Sequence, residues 1–203
     1  MSELSGPPDA GAGPASAAGR ARGLEKAAPV VVLVGPPASG KTTIGTAVAD
    51  TLGVGFRDTD ADVEADAGSS VADLFVTAGE PHFRTLEQAA VARAMAEHHG
   101  VLALGGGAVM SDATRALLVA YGRAGGTVVR LDVDPASAAK RVGLSRDRPI
   151  LGINPRAMLR HMLETRAPLY EEVATLTVST AGREPADVVA DVLAALPAKP
   201  AGR

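Results

Sequence analysis

Val30-Val31-Val32-Leu33-Val34 runs directly into Gly35-Pro36-Pro37-Ala38-Ser39-Gly40-Lys41-Thr42. The first stretch is almost purely β-branched and ends at a glycine, the pattern of a strand buried on both faces of a parallel sheet. The second satisfies G-x-x-x-x-G-K-[ST], and the residues after it, Lys41–Leu52, carry a helical pattern. A loop of this form between a strand and a helix cradles phosphates: backbone amides wrap them and the positive end of the helix points at them. Ala38, Ser39, Gly40, Lys41, Thr42 and Thr43 are therefore the candidate phosphate contacts. Lys41 neutralises charge on the β- and γ-phosphates, and the Thr42 hydroxyl is a candidate Mg²⁺ ligand. Pro36 and Pro37 have no amide to offer, and Ala38 stands where many such loops have glycine. The donors from Ser39 to Thr43 are expected to suffice. A tight glycine turn without chemical meaning is the alternative, and the flanking strand and helix argue against it.

Outward from the loop, apolar runs at Val54–Arg57, Val101–Leu104, Thr127–Leu131 and Leu176–Ser179 read as further strands. Between them lie helical patterns at Ser70–Thr77, Pro81–His99, Pro135 toward Val142, Pro155 toward Arg166, and Pro185–Leu196. Ser70 and Asp73 have capping-box spacing, and Asp134-Pro135 and Asn154-Pro155 each place a capping residue before an N1 proline. Such alternation predicts an α/β fold, a parallel sheet covered on both faces. Residues 1–28 and 197–203 are rich in Ala, Gly and Pro with no apolar period and read as disordered tails around one domain at 29–196. The chain has 203 residues and a formal charge of -3, which excludes bulk electrostatic attraction to nucleic acid. It has no cysteine, so no disulfide framework and no thiolate chemistry. No apolar run approaches the roughly 20 residues of a membrane span, and no apolar signal core opens the chain. A cytoplasmic protein without nucleic-acid or membrane partners is expected.

Four further segments carry candidate chemistry. Asp58-Thr59-Asp60 follows the second strand, where residues face the ligand crevice of a parallel sheet. On an extended chain the two carboxylates share a side, one toward the Mg²⁺ shell and one toward the hydroxyls of a polyol; capping of a helix at Ala61–Ala67 is the alternative. Arg84 and Glu87 share a helix face at i, i+3. They make either a surface ion pair or a rigidly held fork for a carboxylate. Gly105-Gly106-Gly107 ends a buried strand and permits a close approach of backbone to ligand, or forms a plain loop. Lys140–Pro149, with Arg141, Arg146 and Arg148, is basic and contains glycine. It reads as a mobile lid over transferring phosphate or as a solvated loop. Arg166, ahead of Pro168, ends a helix and is ambiguous alone.

Together these motifs resemble the shikimate kinase family, within the nucleoside-monophosphate-kinase-like group of P-loop NTPases. The resemblance spans Val30 to about Leu196. Its most specific part is Arg84-x-x-Glu87, Val91, and Val101 through Gly105-Gly106-Gly107 to Val109; Asp58–Asp60, Arg148–Leu151 and Arg166–Tyr170 add to it. The resemblance implies a five-stranded parallel sheet with helices on both faces. It implies transfer of the γ-phosphate of ATP to the 3-hydroxyl of shikimate, early in aromatic amino-acid synthesis, with one Mg²⁺ and a monomeric enzyme. It implies that Thr42 and Asp58 support the metal, that Asp60 binds the shikimate hydroxyls, and that Lys41, Asp60 and Arg148 serve catalysis. It implies that Arg84, Arg166 and Gly105–Gly107 line the shikimate pocket, that Arg141 and Pro185 sandwich the adenine with Arg183 beside it, and that Arg148 lies on the ATP phosphates.

Another small-metabolite or nucleotide kinase of the same group, such as a gluconate or adenylate kinase, shares the loop but not the combination of R-x-x-E, G-G-G and R-A-P-L-Y. A binding module without activity is expected to have lost Lys41, Asp60 or the lid arginine, and all three remain. The tail composition carries its own test. Deleting residues 1–27 is expected to leave melting temperature and turnover nearly unchanged in thermal unfolding and steady-state assays.

Overall fold

In the computed structural model five strands, β1 (Val31–Val34), β2 (Phe56–Asp58), β3 (Val101–Ala103), β4 (Val128–Asp132) and β5 (Leu176–Ser179), form one sheet. Their order is β2-β3-β1-β4-β5 and every pairing is parallel. Among the described residues eight α-helices accompany them: α1 (Lys41–Leu52), α2 (Thr59–Ala67), α3 (Val71–Thr77), α4 (Gly79–Glu97), α5 (Asp112–Arg123), α6 (Pro135–Leu144), α7 (Pro155–Val173) and α8 (Pro185–Ala194). The structure describes residues 28–144 and 155–197. Arg146, Arg148 and most of both expected tails lie outside these residues.

The period of two along β1 builds both halves of the core. Val32 and Val34 face one layer, packed with Val91, Leu118, Tyr170 and Val173 of α4, α5 and α7. Val31 and Leu33 face the other, against Ile44, Val48, Val188 and Val192 of α1 and α8. All four β1 residues are buried, as the unbroken apolar run predicts. Burial of each such side chain contributes about 1.5–3 kcal/mol. A satellite cluster around Val63, Leu74 and Phe83 ties α2 and α3 to α4.

Local signals explain most boundaries. The helix predicted after the loop matches α1 in full. Ser70 caps α3 by accepting from the Asp73 amide at 3.1 Å, and its hydroxyl donates back to the Asp73 carboxylate at 2.6 Å. Asp134 accepts from the amides of Ala136 and Ser137 at 2.8 and 2.9 Å. Strand β2 starts at Phe56 rather than Val54, because the Val54 amide is drawn back onto Ala49 O at 3.0 Å to close α1. Helix α4 ends at Glu97, since His98 leaves the helical region and its Nε2 lies 3.2 and 3.1 Å from Gly55 O and Val101 O.

Two expectations are corrected. Asp58 and Asp60 do not share a side of an extended chain: α2 begins at Thr59, so Asp58 is its cap and Asp60 sits in its first turn. The helix predicted to stop near Arg166 continues through Pro168 to Val173. Pro168 withholds an amide and crowds the preceding turn, but Tyr170 and Val173 beyond it are each 2% exposed. Their burial outweighs that penalty. The Pro168 ring itself is exposed. Pro168→Ala therefore loses no packing and regains an amide, and is expected to raise unfolding stability by about 1 kcal/mol, below the ~3 kcal/mol of an ideal helix interior. Denaturant titration checks it.

Candidate active site

Because all five strands are parallel, their carboxyl ends share one edge, and the loops leaving them face a common crevice. Strands β1 and β3 are neighbours, so the phosphate loop and the triple glycine emerge side by side.

The phosphate loop is tightly determined. Lys41 Nζ donates to Gly35 O at 2.9 Å and Pro36 O at 3.1 Å. The Ser39 amide closes a turn onto Pro36 O at 3.2 Å, so this predicted phosphate donor is engaged within the loop. The opening amides of α1, which no helix satisfies internally, remain at the phosphate end. Ala38 has φ 64°, in the left-handed region that favours glycine, and it is the one non-glycine residue so placed among those described. Gly40 has φ 96° and precedes α1. Thr42 Oγ1 donates to Asp58 Oδ2 at 3.1 Å, while Asp58 Oδ1 accepts from the Asp60 amide at 3.0 Å. One oxygen of Asp58 thus caps α2, as the alternative reading of this residue expects, and the other accepts from the loop threonine.

Beside the loop lies a charged cluster. Arg84 Nη1 donates to Glu87 at 2.7 Å. Its Nε and Nη2 donate to Glu80 at 3.1 and 2.8 Å. The guanidinium carbon stands 5.2 Å from the Phe83 ring centre and 5.8 Å from that of Phe75, within cation–π range. The surface-pair reading of Arg84 and Glu87 does not hold, because the Glu87 side chain is only 4% exposed. Burial pushes the Glu87 carboxyl above the usual carboxylate range and Asp60 adds to that; Arg84 and Arg166 pull the other way. Burial also opposes the Arg84 charge, but Glu87 and Glu80 outweigh it and hold its pKa above the ordinary value. Asp60, Arg84, Glu87 and Arg166 therefore form one electrostatic unit drawn from α2, α4 and α7.

The triple glycine fits between these groups, and each member yields to a different one. A Cβ on Gly105 would overlap Asp60 Oδ1 and stand 2.6 Å from Glu87 Oε1; on Gly106 it would meet Pro37 Cδ at 2.8 Å; on Gly107 it would overlap Arg84 Nη1. The Gly105 amide donates to the buried Thr59 hydroxyl at 3.0 Å. Gly106 O accepts from Arg166 Nη1 at 3.1 Å and from the Tyr170 hydroxyl at 2.6 Å. The triplet is not a plain loop: at each glycine the space of a side chain goes to the protein's own charged groups or to the phosphate loop.

On the other side of the loop, Arg141 donates to Ala38 O at 3.1 Å, to Thr180 Oγ1 at 3.0 Å and to Thr180 O at 2.6 Å. Arg183 pairs with Asp191 at 2.6 Å, and Pro185 is exposed at the start of α8. Arg141 is thereby brought to the loop and to the segment after β5. Sequence reasoning missed Glu80, Thr59, Tyr170 and Thr180 as site partners. The i, i+4 spacings of Glu80 with Arg84 and of Tyr170 with Arg166 were the available signals; Thr59 and Thr180 depend on tertiary placement.

A phosphate loop beside a paired-arginine cluster on a parallel sheet defines a P-loop phosphotransferase with a small acceptor. The comparisons specify it further. The family model for shikimate kinase matches residues 37–197. A shikimate kinase of Salinispora tropica is 55% identical over 170 residues, 84% of this chain and 99% of that protein. One of Streptomyces coelicolor is 50% identical over 174 residues, 86% and 99% of the two chains. The solved structure of shikimate kinase from Acinetobacter baumannii in complex with shikimate is 34% identical, with a TM-score of 0.76 over 84% of this chain and 93% of that one. The chain belongs to the shikimate kinase family, whose members are ATP-dependent phosphotransferases.

The glycines provide a test. The atom that a Gly107 methyl would displace is the far end of a flexible side chain. Gly107→Ala is expected to push Arg84 off the buried Glu87 carboxylate, lowering the melting temperature and weakening acceptor binding at least tenfold with nucleotide affinity intact. Gly106→Ala, which meets the Pro37 ring and backbone, is expected to weaken both. Titration of each substrate separately checks this.

Proposed function

We propose that phosphorylation of shikimate by ATP is divided among these residues as follows. The observation that carries the reading is the convergence of Arg84 and Arg166 on consecutive glycines, Gly107 and Gly106, next to Pro37 of the phosphate loop. Shikimate is a carboxylated triol. Two guanidinium groups suit its carboxylate, and Asp60, at the same cluster, suits its hydroxyls and holds the 3-hydroxyl toward the phosphate loop. Glu87 and Glu80 keep the Arg84 fork in place. Gly40, Lys41, Thr42 and Thr43 bind the ATP phosphates. Arg141, fixed by Ala38 and Thr180, presents itself to the adenine end with Pro185, and Arg183 lies beyond it.

The pairing of a hydroxyl, Thr42, with a carboxylate, Asp58, suits Mg²⁺, a hard cation that takes one or two protein oxygens and completes its shell with phosphate and water. Among the described residues no group of three His, Cys, Asp or Glu side chains is placed to hold a metal ion. When bound, Mg²⁺ neutralises charge on the transferring phosphate. The protein's own part is positioning and charge neutralisation, which dominate phosphoryl transfer. Arg148, outside the described residues, acts on the phosphates from the basic segment. The enzyme works as a cytoplasmic monomer. Among the described residues no helix is long and apolar enough to cross a membrane.

A coupled assay of ADP release with and without shikimate tests the reaction. For the residues, Arg84→Ala and Arg166→Ala are each expected to weaken shikimate binding by about 2–5 kcal/mol, because each leaves a desolvated carboxylate unpaired. ATP affinity should barely move. Loss of ATP binding with shikimate binding retained would overturn the carboxylate assignment. Arg148→Ala is expected to lower kcat by about 10³-fold or more with little change in shikimate dissociation, whereas Arg146→Ala should be mild.

A further inference from the structure

Tyr170 lies one helical turn beyond Arg166 on α7, so the two side chains share a face. Both donate to the same acceptor, Gly106 O, the tyrosine at 2.6 Å and the arginine at 3.1 Å. A carbonyl oxygen has two lone pairs, and here both are taken. The Tyr170 ring is buried in the sheet core among Leu104, Ala108 and Val109. Burial raises the hydroxyl pKa to about 12, with neighbouring Arg166 opposing the shift. The phenol is therefore a neutral donor throughout the working pH range. Gly106 is held from the opposite side as well, since the place of its missing side chain is filled by Pro37 Cδ. Its peptide is a junction: α7 grips its oxygen and the phosphate loop abuts its α-carbon. Of the two donors, Arg166 has a second task under the reading given above, because its remaining N–H groups serve the acceptor's carboxylate. Tyr170 has none, and its hydroxyl is engaged only inside the protein.

We propose that Tyr170 is a positioning residue for the kinase reaction, holding the Gly106 peptide so that Arg166 presents its free donors to the acceptor carboxylate at a fixed distance from the phosphate loop. The inference rests on the reading that Arg166 binds that carboxylate. Without the hydroxyl, Gly106 O depends on Arg166 alone, and the guanidinium is drawn toward the backbone and away from the substrate.

Tyr170→Phe keeps the ring and removes only the hydroxyl. The KM for shikimate should rise about 3- to 10-fold, the factor set by one net hydrogen bond. The KM for ATP should stay within about twofold, and Tm should fall by no more than about 4 °C in a chain of this size. In an Arg166→Ala background the same change should raise the shikimate KM no further, because the arginine through which Tyr170 acts is gone. A purely structural role gives a different pattern: both KM values rise together with a larger fall in Tm, or the two substitutions add. Either result, or an unchanged shikimate KM in Tyr170→Phe, overturns the inference. An Arg166→Ala enzyme whose shikimate KM is unchanged overturns instead the carboxylate reading on which the inference stands.

Discussion

A carboxylate with a side chain only 4% exposed must find a cation, and the pairing of Glu87 with Arg84 at 2.7 Å organises the site. An unpaired buried ion costs several kcal/mol, so Arg84 is not free to follow solvent. Its other nitrogens are taken by Glu80, and Phe83 and Phe75 lie against it. A guanidinium held on so many sides leaves no room for a neighbouring side chain, which is why Gly107 carries none. Gly105 is bare for the related reason that Asp60 and Glu87 crowd the same point. The outer two glycines at the end of β3 are thus a consequence of one buried ion pair and the second carboxylate beside it, while Gly106 between them yields to Pro37.

Much of this was legible in the residues. An unbroken β-branched run followed by G-x-x-x-x-G-K-T identified β1, the loop and α1 to the residue at the helix ends, because strand burial and loop geometry are local demands. The roles proposed for Arg84, Arg166 and the triplet come from the resemblance. What stayed hidden was tertiary. Arg84 and Glu87 at i, i+3 look alike whether solvated or buried, and only the packing of α2 and β3 against α4 decides it. The extended geometry expected for Asp58 and Asp60 failed because a capping aspartate is also the residue that starts a helix, and α2 starts at once. The stop expected before Pro168 failed because a local penalty of a few kcal/mol is smaller than the burial of Tyr170 and Val173.

The phosphate loop shows the same balance on a smaller scale. Ala38 holds φ 64°, which costs a residue with a Cβ roughly 1–2 kcal/mol. Such strain persists only where the surroundings over-determine the backbone. Here Arg141 bonds the Ala38 carbonyl, Lys41 gathers those of Gly35 and Pro36, and the Ser39 amide closes onto Pro36. Pro36 and Pro37 stiffen the unfolded chain, so less conformational entropy is lost on folding. The two prolines remove amides from the phosphate cradle, and in return the loop is rigid before any phosphate arrives.

That rigidity matters through one contact. Under the proposed assignment, the acceptor side of the site is formed by α4, the β3 loop and α7, and the nucleotide side by the β1 loop, α6 and the segment after β5. Beyond the Thr42–Asp58 hydrogen bond, the two sides meet where the Pro37 ring fills the space of a Gly106 side chain. In phosphoryl transfer the protein contributes chiefly alignment, and a misplacement of about 1 Å can cost 10²-fold in rate. A hydrogen bond tolerates tenths of an ångström of drift, whereas a proline ring against a bare α-carbon resists approach by steep repulsion. Under the proposed assignment, the separation between acceptor and phosphate is therefore set by packing at the Gly106 α-carbon, while the Tyr170 and Arg166 donors hold the oxygen of the same peptide.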